Sequence, residues 1–236
     1  NVGSVTWSRT YDLPDSSNDR VVDMQLTASG DVILVGNPQI VLRYAGLDGQ
    51  IMWTRQWPEL VTPVSSQMDS TGNLYLIGDD ALNARLWAAK IAADNGQFIW
   101  QAQVDPGSGR EHVRESAIDS QGNLLLVGTF EGGTAFVTKF AGASGQTLWT
   151  QQPNLSHFAY GVIAVDALDR PYGAFGQDES LVLQRLAPES GLVNWQVVET
   201  GFGQLFGGLA IRPYGTDAML LGYNPANTQA GDPLKL

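Results

Sequence analysis

Ala92-Ala93-Asp94-Asn95-Gly96-Gln97-Phe98-Ile99-Trp100 is the stretch on which the fold turns, because its spacing, Ala-x-x-x-Gly-x-x-x-Trp, returns along the chain. It recurs at Ala45, Gly49 and Trp53, at Ala141, Gly145 and Trp149, and at Ala187, Gly191 and Trp195, while Gly3 precedes Trp7 by the same four residues. The five Trp stand 46, 47, 49 and 46 residues apart, and a fixed period of this size marks a repeat architecture.

Working outward, each unit carries a turn and a β-rich run ending in Gly: Gly30 to Gly36, Gly72 to Gly78, Gly122 to Gly128, with two longer copies ending at Gly176 and Gly222. Between that Gly and the Ala lies an apolar–basic–apolar triplet centred on Arg43, Lys90, Lys139, Arg185 and Lys235; the copies at Lys139 and Arg185 begin with Thr138 and Gln184. Short runs with Gly turns and β-branched or aromatic content read as strands, four to a unit. The segment Arg85 to Ala93, rich in Ala and Leu, has helical propensity, but its register with the other triplets makes it a strand. Repeated four-stranded units of this length read as propeller blades.

The last unit stops at Leu236 in its third strand, and Val5 to Arg9 form an orphan fourth strand carrying Trp7. Each supplies what the other lacks, and pairing them would remove an exposed edge. The expectation is a closed, all-β, five-bladed β-propeller of four-stranded antiparallel blades in one domain. Its blades span about 21–57, 64–103, 113–151, 160–198 and 207–236 plus 4–10. A segment cut from a longer array is the alternative.

Composition narrows the function. With 13 Lys and Arg against 24 Asp and Glu, the net charge is −11, and no basic cluster exists to meet a phosphate backbone, so nucleic acid is not an expected partner. At 43% hydrophobic and 16% charged, with 27 Gly and 11 Pro, the chain reads as folded and turn-rich. No apolar run approaches the roughly 20 residues of a transmembrane helix. Zero Cys excludes thiolate metal sites and a Cys nucleophile, and the two His, His112 and His157, lack zinc spacing.

The indoles of Trp7, Trp53, Trp100, Trp149 and Trp195 could stack a sugar or quinone, but one per unit at fixed distance from a Gly turn points to wedges between blades. The basic residues are expected to lay their stems on the adjoining blade and pair with repeated acids such as Asp69, Asp119 and Asp166.

Ala-x-x-x-Gly-x-x-x-Trp resembles the tryptophan-docking motif of PQQ-type quinoprotein propellers, over essentially the whole chain. Trp7-Ser8-Arg9-Thr10-Tyr11, Asn18-Asp19 and Gly36 also look like the SBBP-type repeats of secreted bacterial proteins. The resemblance implies blades interlocked through Trp and an exported location, secreted or periplasmic, in a bacterium. Quinoenzymes of this type usually carry eight blades and often a vicinal Cys pair, neither of which is read here, so PQQ is not an expected cofactor.

Function in such a scaffold falls to the loops that rigid blades present at one end. Connectors from fourth to first strand and loops from second to third strand gather Asp12, Asp15, Asp19, Asp79, Asp80, Asp105, Glu111, Glu131, Asp178 and Glu179 on one face. The segment Asp12 to Asp19 offers hard oxygens of the kind calcium prefers, without EF-hand spacing; a solvated acidic turn is the preferred reading, and no cofactor is expected. No nucleophile elbow, zincin or Walker motif occurs. The expectation is a non-catalytic, monomeric binding or assembly module that uses its acidic loop face for a protein or carbohydrate partner, through Trp57, Arg110, His112, Phe202 and Phe206. The alternative is a glycosidase-like or PQQ-dependent enzyme.

Overall fold

The computed structural model describes residues 5–12, 19–57, 61–80, 85–104, 110–153, 155, 158–177, 180–200, 209–214 and 217–222. Four antiparallel four-stranded sheets follow one another along the chain. The first holds β1 (Arg20–Leu26), β2 (Val32–Asn37), β3 (Ile40–Tyr44) and β4 (Ile51–Gln56). The second holds β5 (Val61–Met68), β6 (Leu74–Asp80), β7 (Arg85–Ile91) and β8 (Phe98–Val104). The third holds β9 (Glu111–Ile118), β10 (Leu124–Phe130), β11 (Ala135–Phe140) and β12 (Thr147–Gln151). The fourth holds β13 (Phe158–Val165), β14 (Pro171–Gln177), β15 (Ser180–Leu186) and β16 (Val193–Thr200), and a hairpin of β17 (Leu209–Tyr214) and β18 (Asp217–Gly222) comes after it. Arg85–Ile91 is a strand, as its register demands. Leu234 to Leu236, the residues meant to receive the N-terminal strand, lie outside the described residues, and so does the closure.

First strands of successive units lie side by side: β1 against β5, β5 against β9, β9 against β13 and β13 against β17. Hydroxyls and amides join them. Ser66 donates its N–H and Oγ to Asp23 Oδ2 at 2.9 and 2.7 Å, the Ser65 and Ser116 hydroxyls meet at 2.7 Å, and Gln67 Nε2 donates to the Ser116 carbonyl at 2.8 Å. Between sheets, apolar side chains close the seams: Ile33, Val35 and Val41 against Leu74, Leu76 and Ile91, and Leu125, Val127 and Val137 against Ile163 and Phe175.

A shared carbonyl sits at the heart of each junction. The indole N–H groups of Trp53, Trp100 and Trp149 each donate at 3.0 Å to a turn of the next sheet, at the carbonyls of Ala93, Gly142 and Pro188. The same carbonyls accept from Arg43, from Lys90 at 3.2 Å and from Lys139 at 3.1 Å. Register explains the coincidence, because Arg43, Lys90 and Lys139 pair directly with those Trp across the third and fourth strands. A one-residue slip at Met52, Ile99 and Leu148 in the fourth strand sits just before each Trp. Trp7 repeats the contact on the first sheet, donating to the Gly46 carbonyl at 2.8 Å. No strand pairing is found for residues 5–12.

Gly is required beneath each indole. Gly96, Gly145 and Gly191 have φ of +68°, +72° and +71°, and a Cβ on any of them would lie 2.5–2.7 Å from the facing Trp ring.

Within a sheet, each cation is also tied to an acid: Arg43 to Asp31 at 2.7 Å, Lys90 to Asp69 at 2.9 Å and Lys139 to Asp119 at 2.9 Å. The hydrogen bond from Arg43, with others from the Gly46 N–H and Ser29, holds the Asp31 carboxyl down at about 2. Burial pushes Asp69 and Asp119 up, but hydrogen bonds from Thr71 and Lys90, and from Lys139 and Asn123, outweigh it and leave both below the usual carboxylate range. In the fourth sheet the expected partner changes. Asp166 pairs with Arg170 at 2.5 Å, four residues on, and the Arg185 guanidinium lies 5.7 Å from the centre of the Trp195 ring. Arg185 Nε has no hydrogen-bond partner among the described residues.

Candidate functional site

In an up-and-down sheet the first and third strands begin where the second and fourth end. The connectors between units and the loops from second to third strand therefore share one end. Two junctions and one cavity there hold the candidate residues.

Between the first and second sheets lies Trp57, just past β4. It is only 6% exposed, stacks on Trp87 with ring centres 6.0 Å apart and planes at 17°, and donates its N–H to the Val61 carbonyl at 3.2 Å. The indole belongs to the apolar seam rather than to the surface, because Trp87 offers it a face.

Arg110 and His112 sit at the start of β9, between the second and third sheets. Arg110 is exposed, and its carbonyl accepts the Glu131 N–H at 2.6 Å, which fixes the backbone there. His112 Nδ1 meets Asp79 Oδ2 at 3.1 Å, and Asp79 Oδ1 accepts the Val113 N–H at 3.2 Å. Asp79 thus clasps the neighbouring sheet, while 39% of the His112 side chain stays accessible. Phe202 and Phe206 lie outside the described residues, as does His157.

The acidic face is thinner than the sequence suggests. Asp80 and Glu111 are 4% and 2% exposed, and Asp80 Oδ2 accepts from Gln103 at 3.1 Å. Alternation along β6 and β9 turns them inward. Asp12, Asp19 and Glu131 are exposed, and Asp15, Asp105, Asp178 and Glu179 lie outside the described residues. Among the described residues no three His, Asp or Glu converge as metal ligands. The repeated cations also do not fit a cage for a polycarboxylate quinone, since Arg43, Lys90 and Lys139 are each held by an acid of their own sheet and a carbonyl of the next.

The sequence reading missed a cavity of about 300 Å³ on the outer face of the first sheet. Leu34, Ile40, Leu42 and Tyr44 line it from β2 and β3, the chain from Arg9 to Tyr11 walls it, and Asp19, Arg20 and Asn37 stand at its loop end. Trp7 stacks beside Tyr44 at 6.2 Å. Burial, and to a lesser degree the Tyr11 hydroxyl, push the Tyr44 phenol above its ordinary value. Arg20 was legible as a lone cation following an acidic run.

Successive four-stranded antiparallel sheets, laid first strand to first strand and locked by a repeated indole contact, define a β-propeller. The chain belongs to the family described as outer membrane protein assembly factor BamB, which matches residues 2–197. BamB from Moraxella catarrhalis superposes with a TM-score of 0.52 at 14% identity, over 76% of this chain and 50% of its own. The quinohemoprotein alcohol dehydrogenase ADHIIG from Pseudomonas putida HK5 superposes at 0.59 and 14% identity, over 92% and 40% respectively. The Dos1 propeller does so at 0.56 and 10% identity, over 81% and 54%. The chain thus spans about half the length of these structures, and the likeness is one of fold. No curated protein matches the chain.

Proposed function

We propose that this chain is a non-catalytic protein-binding or assembly module, exported to the periplasm or beyond, whose loop end carries the contact through Arg110 and His112. In this reading the propeller has five blades, its ring is closed by the N-terminal strand, and Ala-x-x-x-Gly-x-x-x-Trp acts as a tryptophan-docking motif. One observation carries it. The repeated ionic and aromatic groups of the first three sheets are engaged in holding those sheets together, whereas Arg110 and His112 stay accessible on a backbone pinned from both sides. Membership of the BamB family supports a protein over a sugar as partner.

The test compares the immobilised full chain with an Arg110→Ala/His112→Ala variant in bacterial periplasmic extract and on a glycan array. The expected result is a protein retained several-fold better by the unaltered chain, with both forms equally folded. Glycan retention alone, release of reducing ends, or PQQ-dependent dye reduction overturns this reading.

A further inference from the structure

The residue before the Gly of each docking turn does one job with different chemistry. Asp48 Oδ1, Asn95 Oδ1, Ser144 Oγ and Ser190 Oγ accept the N–H two residues on, from Gln50 at 3.0 Å, Gln97 at 2.9 Å, Gln146 at 3.4 Å and Leu192 at 3.4 Å. Any short side chain with an oxygen can serve there. The next residue must be Gly, because an indole faces it. In the second unit these two demands produce Asn95-Gly96, the one Asn-Gly pair of the 236 residues. Asn followed by Gly is the sequence in which a carboxamide cyclises most readily, since no side chain shields the Gly nitrogen. The docked turn holds that reaction back. Asn95 is exposed to water, but Gly96 is buried against Trp53, whose ring a Cβ there would meet at 2.6 Å. The Gly96 N–H donates to the Ala92 carbonyl at 3.0 Å, and the Gly96 carbonyl accepts from Arg55 Nε, so both of its peptide groups are pinned.

We infer that Asn95 is a site of spontaneous deamidation gated by the Trp53 indole. When the indole lifts, the turn can open and Gly96 gives up its bond to Ala92. A solvent base then takes the Gly96 amide proton, the nitrogen attacks Asn95 Cγ, the Cγ–Nδ2 bond breaks, and ammonia leaves with a proton from water. One water molecule opens the resulting succinimide, giving Asp by attack at one carbonyl and isoaspartate by attack at the other. Isoaspartate runs the main chain through Cβ and Cγ, which adds a methylene between Ala93 and Gly96. The carbonyls of those two residues accept from Trp53, Arg43 and Arg55 of the first sheet, so the lengthened turn no longer matches its donors. The change is one-way and records opening of the junction between the first two sheets. It does not depend on the partner-binding role of Arg110 and His112.

The experiment incubates the full chain in mildly alkaline buffer and follows Asn95 by peptide mapping with electron-transfer fragmentation, which counts Asp and isoaspartate separately. The folded chain should convert roughly tenfold or more slowly than the same chain unfolded in urea, because only the undocked fraction reacts. Trp53→Phe, which loses the donor to Ala93, should speed conversion several-fold in the folded chain. Arg55→Ala, which frees the Gly96 carbonyl, should act in the same direction if the Trp53 variant does not fold. Trp149→Phe weakens a seam whose turn, Ala187 to Gly191, holds no Asn, and should leave the rate at Asn95 unchanged. Asn95→Ser, matching Ser144 and Ser190, should abolish the mass gain and keep the fold. The isoaspartate form should melt below the unaged chain. Equal rates in the folded and unfolded chain, no conversion in urea, or equal acceleration by Trp53→Phe and Trp149→Phe refutes the gate, and an unchanged Tm of the isoaspartate form refutes the mismatch.

Discussion

Pro188 and Arg170 depart from the repeat together. In the first three sheets, the turn residue whose carbonyl receives the indole also donates its own N–H to a side chain within its sheet: Gly46 to Asp31 at 2.9 Å, Ala93 to Asn73 at 3.1 Å and Gly142 to Asn123 at 3.1 Å. Pro188 has no N–H to give, and Arg170 stands where the acceptor would be. Freed from that duty, Arg170 takes Asp166, which leaves Arg185 to its own Trp195.

The two departures should therefore be coupled. Arg170→Asn alone strips the ion pair from a carboxylate whose side chain is wholly buried, at a cost of about 1–3 kcal/mol. Adding Pro188→Gly restores the missing donor, so the double variant should recover about 1 kcal/mol relative to the sum of the singles. A double-mutant cycle by thermal or urea denaturation reads this directly, and strict additivity would contradict it.

Acid should loosen the sheets in a defined window. Asp31 lies at about 2 against an ordinary 3.8, and Asp69, Asp119 and Asp166 are also depressed. A carboxylate whose folded pKa lies below its unfolded one contributes stability that is complete above the unfolded value and lost as pH falls through the folded value. Tm should thus be flat from about pH 7 to 5 and fall between about pH 4 and 2. Asp31→Asn should lower Tm at neutral pH and flatten the acid limb; an unchanged limb would remove Asp31 from the account.

The fit of glycine to indole can be tested against an open glycine. Gly145→Ala places a methyl 2.7 Å from the Trp100 ring at φ +72°, and should cost about 2–4 kcal/mol. Gly132 has φ +103° and nothing within 4 Å, so Gly132→Ala should cost only the backbone strain, about 1 kcal/mol. Comparing the two Tm values, with the shift in Trp emission, separates docking from backbone strain.

Trp57 and Arg110 should behave oppositely. Trp57→Ala empties a stacked site in the seam and should destabilise by about 3–5 kcal/mol, whereas Arg110→Ala should stay within about 0.5 kcal/mol. Chemical denaturation of both variants checks this.

What the sequence made legible follows the repeat. Five Trp at near-constant spacing announced sheets, turns and the pairs of Lys90 with Asp69 and Lys139 with Asp119, because a junction repeated with the same geometry must repeat its residues. The repeat also set Arg85 to Ile91 as a strand against its own propensity. Where a residue occurs once, periodicity is silent. Trp57 resembled a surface aromatic because nothing in its neighbours tells that Trp87 stacks on it from the second sheet. Asp80 and Glu111 resembled surface acids because the side a strand-end residue faces depends on the strand's register, which in β9 slips at Arg114. The cavity on the first sheet was invisible for the same reason: its lining comes from four separated stretches.

The carbonyl that accepts twice has a genetic corollary. Each of the first three units carries both the donors that the following turn needs and the turn that the preceding donors need. A tandem duplication among them would create matched seams at once, with no compensating change. The fourth unit differs from them, since Asp166 pairs with Arg170 and its cation lies over its own indole.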